Sequence, residues 1–162
     1  MYHTRRQVSV ALGSSLLAMS LAGQARVRSP EATATALVRV AQRLVVARAP
    51  YRDGGMDARG FDCSGLVWYV HRRVGVRVPR TAAQQCEAAQ PVPREALMPG
   101  DLLFFKLSAS FRERSGTGRV DHVGIYVDSD LFIHASLHRS AVSYELLQYF
   151  RPSIVSTGRF WA

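Results

Sequence analysis

An α+β fold is predicted by two features of the sequence. Segments with helical apolar spacing fill the first half, and short apolar strands separated by turn residues fill the second. The 162 residues, 48% hydrophobic and 20% charged, suffice for one domain with a buried core. They do not have the composition of a disordered or membrane-embedded chain.

Residues 1–25 stand apart from that domain. Arg5 and Arg6 precede an apolar stretch from Val8 to Ala22, and small residues follow up to Ala25, the layout of an export signal cleaved after Ala25 or Ala22. The apolar stretch is too short to span a bilayer comfortably. Thr4-Arg5-Arg6 is compatible with twin-arginine export as well as with general secretion. Cleavage removes two arginines and no acid, lowering the net charge from +9 to +7. The expected product, residues 26–162, is a periplasmic or secreted monomer with no transmembrane segment.

The elements then follow in order. Ser29 caps a helix with Pro30 at its first position, and Leu37, Val38, Ala41, Leu44 and Val45 form its apolar stripe. A glycine-rich loop, PYRDGGMDARG, leads to a second helix over 63–74, with Leu66, Val67 and Val70 inward. Thr81 and Gln84 make the capping box of a short third helix that contains Cys86. After the turn MPGD, strands are expected at 102–105, within DHVGIYV, within LFIHAS, and near 141–144 and 158–161.

Charge excludes little by itself. All the basic residues except Lys106 are arginines, and they are scattered without a dense run or interleaved aromatics. That argues against a nucleic-acid partner and suits a surface facing an anionic polymer. Cys63 and Cys86 are the only cysteines, and no CxxC spacing points to a metal. Export permits a disulfide between them, but one bridge is a poor staple for a domain of this size. It would also leave the position of Cys63 unexplained. The expectation is two free thiols, with Cys86 packed inside the third helix, and no metal or cofactor.

Cys63 follows a candidate cap, Asp62, where the apolar periodicity begins, and a helix N-terminus favours a thiolate. The histidines supply the rest. If residues 128–130 form a three-residue hairpin loop, Val127 faces Leu131 and Gly124 faces His134. His122 and His134 then share one sheet face, and Gly124 leaves room beside the His134 ring. A one-residue slip would separate the two imidazoles. The chemistry assigned is a thiol nucleophile at Cys63, proton transfer by His122, and orientation of His122 by His134. The Cys63 backbone N–H is the natural oxyanion donor. An imidazolium at His122 is expected to hold the thiolate below the range of a free thiol. His71 and His138 need only solvent or a local hydrogen bond, and His3 falls in the signal.

Five stretches, GFDCSGLVWYV, VPRTAAQQ, MPGDLLFF, DHVGIYV and FIHAS, resemble in this order the NlpC-type cell-wall cysteine peptidases, over residues 34–162. The resemblance implies a papain-like α+β fold, with N-terminal helices and the nucleophile helix packed on an antiparallel sheet. It also implies that Cys63, His122 and His134 are catalytic. Tyr51 matches a tyrosine near the substrate and oxyanion region, and Asp62 and Ser64 match positions that shape substrate subsites. The implied reaction is hydrolysis of peptidoglycan stem peptides at the bond between γ-D-glutamate and a diamino acid, commonly meso-diaminopimelate. Asp53 and Asp128 depart from the family's aromatic residue and short glycine turn. The segment 106–119 is longer than usual and is expected to narrow the cleft or alter recognition. Two other functions use the same residues. One is an amidase or acyltransferase acting on a different amide or ester, and the other is a non-catalytic wall-binding protein.

Overall fold

The computed structural model describes residues 29–107, 120–128 and 130–161. Residues 1–25, expected to be an export signal, and nearly all of segment 106–119 lie outside them. No helix among the described residues is long and apolar enough to cross a membrane.

Helix α1 (Pro30–Val46) starts where Ser29 caps it, its side chain accepting the Ala32 N–H. Leu37, Val38 and Ala41 are buried, and Leu44 and Val45 pack from the edge. The glycine-rich loop contains a small antiparallel ribbon, β1 (Met56–Asp57) with β2 (Gly60–Phe61). At two residues a strand, it is too short to leave an alternation in the sequence. Helix α2 (Cys63–Arg73) begins at the expected residue, because the Asp62 carboxylate accepts the Gly65 N–H at 2.6 Å. Helix α3 (Ala82–Ala88) carries the reciprocal Thr81–Gln84 capping box. Gln85, fully buried, donates from Nε2 to the Ser64 and Pro79 carbonyls and ties α3 to the start of α2.

The main sheet is antiparallel throughout. Its strands are β3 (Gln90–Pro91), β4 (Leu102–Phe105), β5 (His122–Asp128), β6 (Leu131–Ser136), β7 (Ala141–Leu146) and β8 (Ile154–Arg159). Their spatial order is β3-β8-β4-β5-β6-β7. The last strand begins earlier than the expected 158–161, because Ile154 to Gly158 pair with β4. Strand β4 reads LLFF because both its faces are covered. Leu102 and Phe104 join the core under α1 and α2, while Leu103 and Phe105 join a second cluster with Phe132, Leu147 and Ile154. Helix α2 lies against β5 and β6, with Leu66, Val67 and Val70 in the same core as Val123, Ile125, Ile133 and Ala135.

The β5–β6 register follows the expected arithmetic through Ile125↔Ile133 and Tyr126↔Phe132. At the loop it departs from it. A bulge at Val127 pairs Asp128, rather than Val127, with Leu131. The Asp128 carboxylate accepts the Asp130 N–H at 3.1 Å.

One close approach fixes where α2 sits. The Gly55 carbonyl accepts the Asp62 N–H at 3.0 Å, and a Cβ on Gly65 would lie 1.9 Å from that oxygen. Gly65→Ala is therefore expected to push the loop off the first turn of α2 and lower stability by about 1–3 kcal/mol. Thermal melting should show a fall of roughly 3–10 °C, and an unchanged melting temperature would refute the packing argument.

Candidate active site

Parity places His122 and His134 on one face, and the structure brings them into direct contact. His122 Nε2 lies 2.7 Å from His134 Nδ1, with the rings nearly perpendicular and their centroids 4.9 Å apart. Both are 5% exposed. Phe105 and Phe150 pack around the two rings. The role of Gly124 differs from expectation. A Cβ there would meet the Phe132 ring at 2.5 Å, and Phe132, the diagonal neighbour, packs in turn on His134. Glycine makes room for the aromatic support rather than for the imidazole.

The hydrogen bond constrains the tautomers. For His122 to accept a proton at Nδ1, its Nε2 must carry hydrogen and donate to His134 Nδ1. His134 then carries its own proton on Nε2, which is buried and has no hydrogen-bond partner among the described residues. This leaves His122 Nδ1 for the thiol. Cys63, His122, His134 and Tyr51 line one cavity of about 620 Å³. Cys63 and Tyr51 also line a second, more polar cleft of about 470 Å³, together with Asp62, Ser64, Arg80 and Asp121. The two cavities meet at the cysteine.

The polar cleft is organised by a residue to which the sequence reading assigned no role. Arg80 donates from Nη2 to Asp62 Oδ2 at 2.6 Å and from Nη1 to Asp62 Oδ1 at 3.1 Å and Ser64 Oγ at 2.9 Å. It lies in the VPRTAAQQ stretch, and the only sequence signal for it was an arginine next to a helix cap. Asp62 is thus both the cap of α2 and the anion of a forked ion pair. Tyr51 is held by a backbone bridge to Phe61 and by its N–H to the Ser140 carbonyl at 2.9 Å.

Burial acts against the ion pair that the sequence suggests. Burial, with the Asp62 charge adding to it, pushes the Cys63 thiol up to about 11. Amides at Val123, Ser64 and Cys63 itself pull the other way but do not win. Burial and the neighbouring His134 push His122 down to about 3. Cys63 keeps partial exposure through its cavities, so water relieves some of that cost. Both shifts point the same way: burial favours the thiol and the neutral imidazole over a charged pair, because taking both charges out of water costs more than the helix start returns. Alkylation of Cys63, followed on its own peptide, should accelerate with a midpoint above the free-cysteine range of about 8.5. A reactive plateau persisting below neutral pH would establish the ion pair instead.

Cys86 is a free thiol, as is Cys63, but it is half-buried rather than fully packed. His138 is exposed. His71 is fully buried rather than solvated, its Nδ1 donating to the Val67 carbonyl at 2.9 Å. No cluster of three metal-ligating side chains occurs among the described residues.

The sequence matches the NlpC/P60 family over residues 48–159. The chain belongs to the NlpC/P60 family. Among curated NlpC/P60-like relatives, the murein DD-endopeptidase MepH of Escherichia coli is 38% identical over 120 residues, covering 72% of this chain and 41% of MepH. The γ-DL-glutamyl hydrolase of Bacillus subtilis is 34% identical over 142 residues, covering 85% of this chain and 32% of that protein. The γ-D-glutamyl-L-lysine dipeptidyl-peptidase of Bacillus subtilis is 38% identical over 86 residues, covering 53% and 27%. The chain therefore spans less than half the length of these relatives. Among solved structures, the peptidoglycan hydrolase RipB of Mycobacterium tuberculosis superposes with a TM-score of 0.67 at 26% identity, covering 82% of this chain and 67% of RipB. A papain-like α+β fold of the NlpC/P60 kind is established by these matches together with the strand order above.

Proposed function

We propose that this chain is an exported cysteine peptidase that hydrolyses peptidoglycan stem peptides at the γ-D-glutamyl–diamino acid bond. The observation that carries the reading is the His122–His134 contact in a cavity shared with Cys63. Two of the relatives are named for γ-glutamyl bonds, which supports the choice of bond.

The Cys63 Sγ attacks the γ-carbonyl carbon while its proton passes to His122 Nδ1. Because burial favours the neutral pair, this transfer accompanies attack rather than preceding it. The developing oxyanion meets the Cys63 backbone N–H at the start of α2, with Tyr51 beside the same position. Collapse expels the diamino acid amine, which takes the proton from His122 and leaves a thioacyl-enzyme. Water then attacks the thioester, gives a proton to His122, and releases the γ-carboxylate as that proton returns to Cys63. His134 holds the His122 ring and stabilises its transient imidazolium through the 2.7 Å bond. Asp62, Ser64 and Arg80 form the polar wall that receives the acyl side.

Mass spectrometry of purified stem peptides after incubation tests the reading. A single cut at the γ-D-glutamyl bond supports it. A different product points to an amidase or acyltransferase, and absence of turnover to a wall-binding protein. The name of MepH favours one specific second bond, a DD-crosslink, which muropeptide dimers in the same assay would reveal.

A further inference from the structure

The cavity shared by Cys63, His122 and His134 has a far wall that the catalytic reading leaves unused. It is built by the turn between β6 and β7 and carries an ion pair, Arg139 with Glu145. Arg139 Nε donates to one carboxylate oxygen, and Nη2 donates to the other at 3.3 Å. The turn is anchored. The Arg139 N–H donates to Ser136 Oγ at 3.2 Å, the Ser140 N–H to the Leu137 carbonyl at 3.1 Å, and Ala141 pairs with Pro50. The Glu145 side chain is 16% exposed and the Arg139 side chain 55%, so the pair is held from the carboxylate side and presented from the guanidinium side.

Its unused valences have a definite sense. The fork to Glu145 occupies two of the five guanidinium N–H groups, leaving three for a second carboxylate. Each Glu145 oxygen retains a lone pair for an ammonium. The rest of the cavity lining is mainly apolar, with Leu107, Ala135, Leu137 and Phe150 alongside Ser136 and His138. The side of the scissile bond that enters here is also determined. His122, which must reach the departing amine, lines this cavity and is absent from the lining of the polar cleft.

We propose that Arg139 and Glu145 select the residue on the leaving side of the scissile bond, favouring a diamino acid whose side chain ends in a zwitterionic centre over lysine. The inference rests on the peptidase reading above. The terminal carboxylate and ammonium of meso-diaminopimelate close a four-charge ring with the guanidinium and carboxylate, while its methylenes lie on the apolar stretch. Lysine satisfies Glu145 alone and brings an uncompensated positive charge beside Arg139.

The test compares two synthetic tetrapeptides that differ only in the third residue, meso-diaminopimelate or L-lysine. Wild type is expected to prefer the first by about tenfold or more in kcat/KM, mostly through KM, as suits one lost charge-assisted contact. Arg139→Met should bring the ratio to within about twofold, with Arg139→Lys intermediate. A third peptide, with the terminal carboxylate amidated, should behave like the lysine peptide on wild type, a readout that needs no folded variant. Equal cleavage of all three peptides by wild type, or an unchanged ratio in Arg139→Met with a native melting temperature, overturns the proposal. Failure of wild type to cut any γ-D-glutamyl bond overturns the peptidase reading itself, and this selectivity with it.

Discussion

Cys63→Ala is expected to abolish turnover of stem peptides while leaving the fold intact. Alanine keeps the helix start and its Asp62 cap, and only the nucleophile is lost. Without Sγ no thioacyl-enzyme forms, so the loss should be about a thousandfold or more. His122→Ala should cost nearly as much, since both proton transfers pass through that ring. His134→Gln or His134→Asn should cost less, because an amide oxygen can still accept from His122 Nε2. The losses should not add. A double variant lacking Cys63 and His122 should be no slower than the worse single variant. Wild-type rates from Cys63→Ala, with an unchanged circular dichroism spectrum, would remove Cys63 from the chemistry.

Acid should unfold the domain from an unusually high pH. Burial lowers three imidazoles, His71 to about 4, His122 to about 3 and His134 to about 4. In the unfolded chain each titrates near 6.5, so between about 6.5 and 4 the unfolded state binds more protons. Stability therefore rises with pH through that window and is lost as the pH falls through it. Each histidine contributes at most about 1.4 kcal/mol per pH unit. Urea unfolding at pH 7 and pH 5 should differ by several kcal/mol, a large share of a typical domain's stability. His71→Leu should shrink that difference without touching His122 and His134, since His71 sits inside the core against Phe160. Equal stability at the two pH values would mean that the buried rings accept protons in place.

Much of the architecture was legible from residue spacing alone. Ser29-Pro30, Asp62 before Cys63 and Thr81 with Gln84 each start a helix where local capping chemistry puts one. The shared parity of His122 and His134 follows from the period of a strand, and one bulged residue at the loop does not disturb it. Other features depended on the neighbours. The Val127 bulge accompanies a side-chain bond of Asp128 to the Asp130 N–H, and Gly124 turned out to serve Phe132 because the diagonal ring leans across it.

What the sequence by itself determined was the set of elements, the start of α2 at Cys63 and the common face of the two imidazoles, since capping and strand alternation act over a few residues. Only the tertiary structure decided that Arg80 forks onto Asp62, that Arg139 and Glu145 line the cavity shared by Cys63, His122 and His134, and that burial favours the neutral thiol and imidazole. These follow from distant segments meeting and from water being excluded between them. Desolvation is a property of the assembled site, and no spacing along the chain encodes its size.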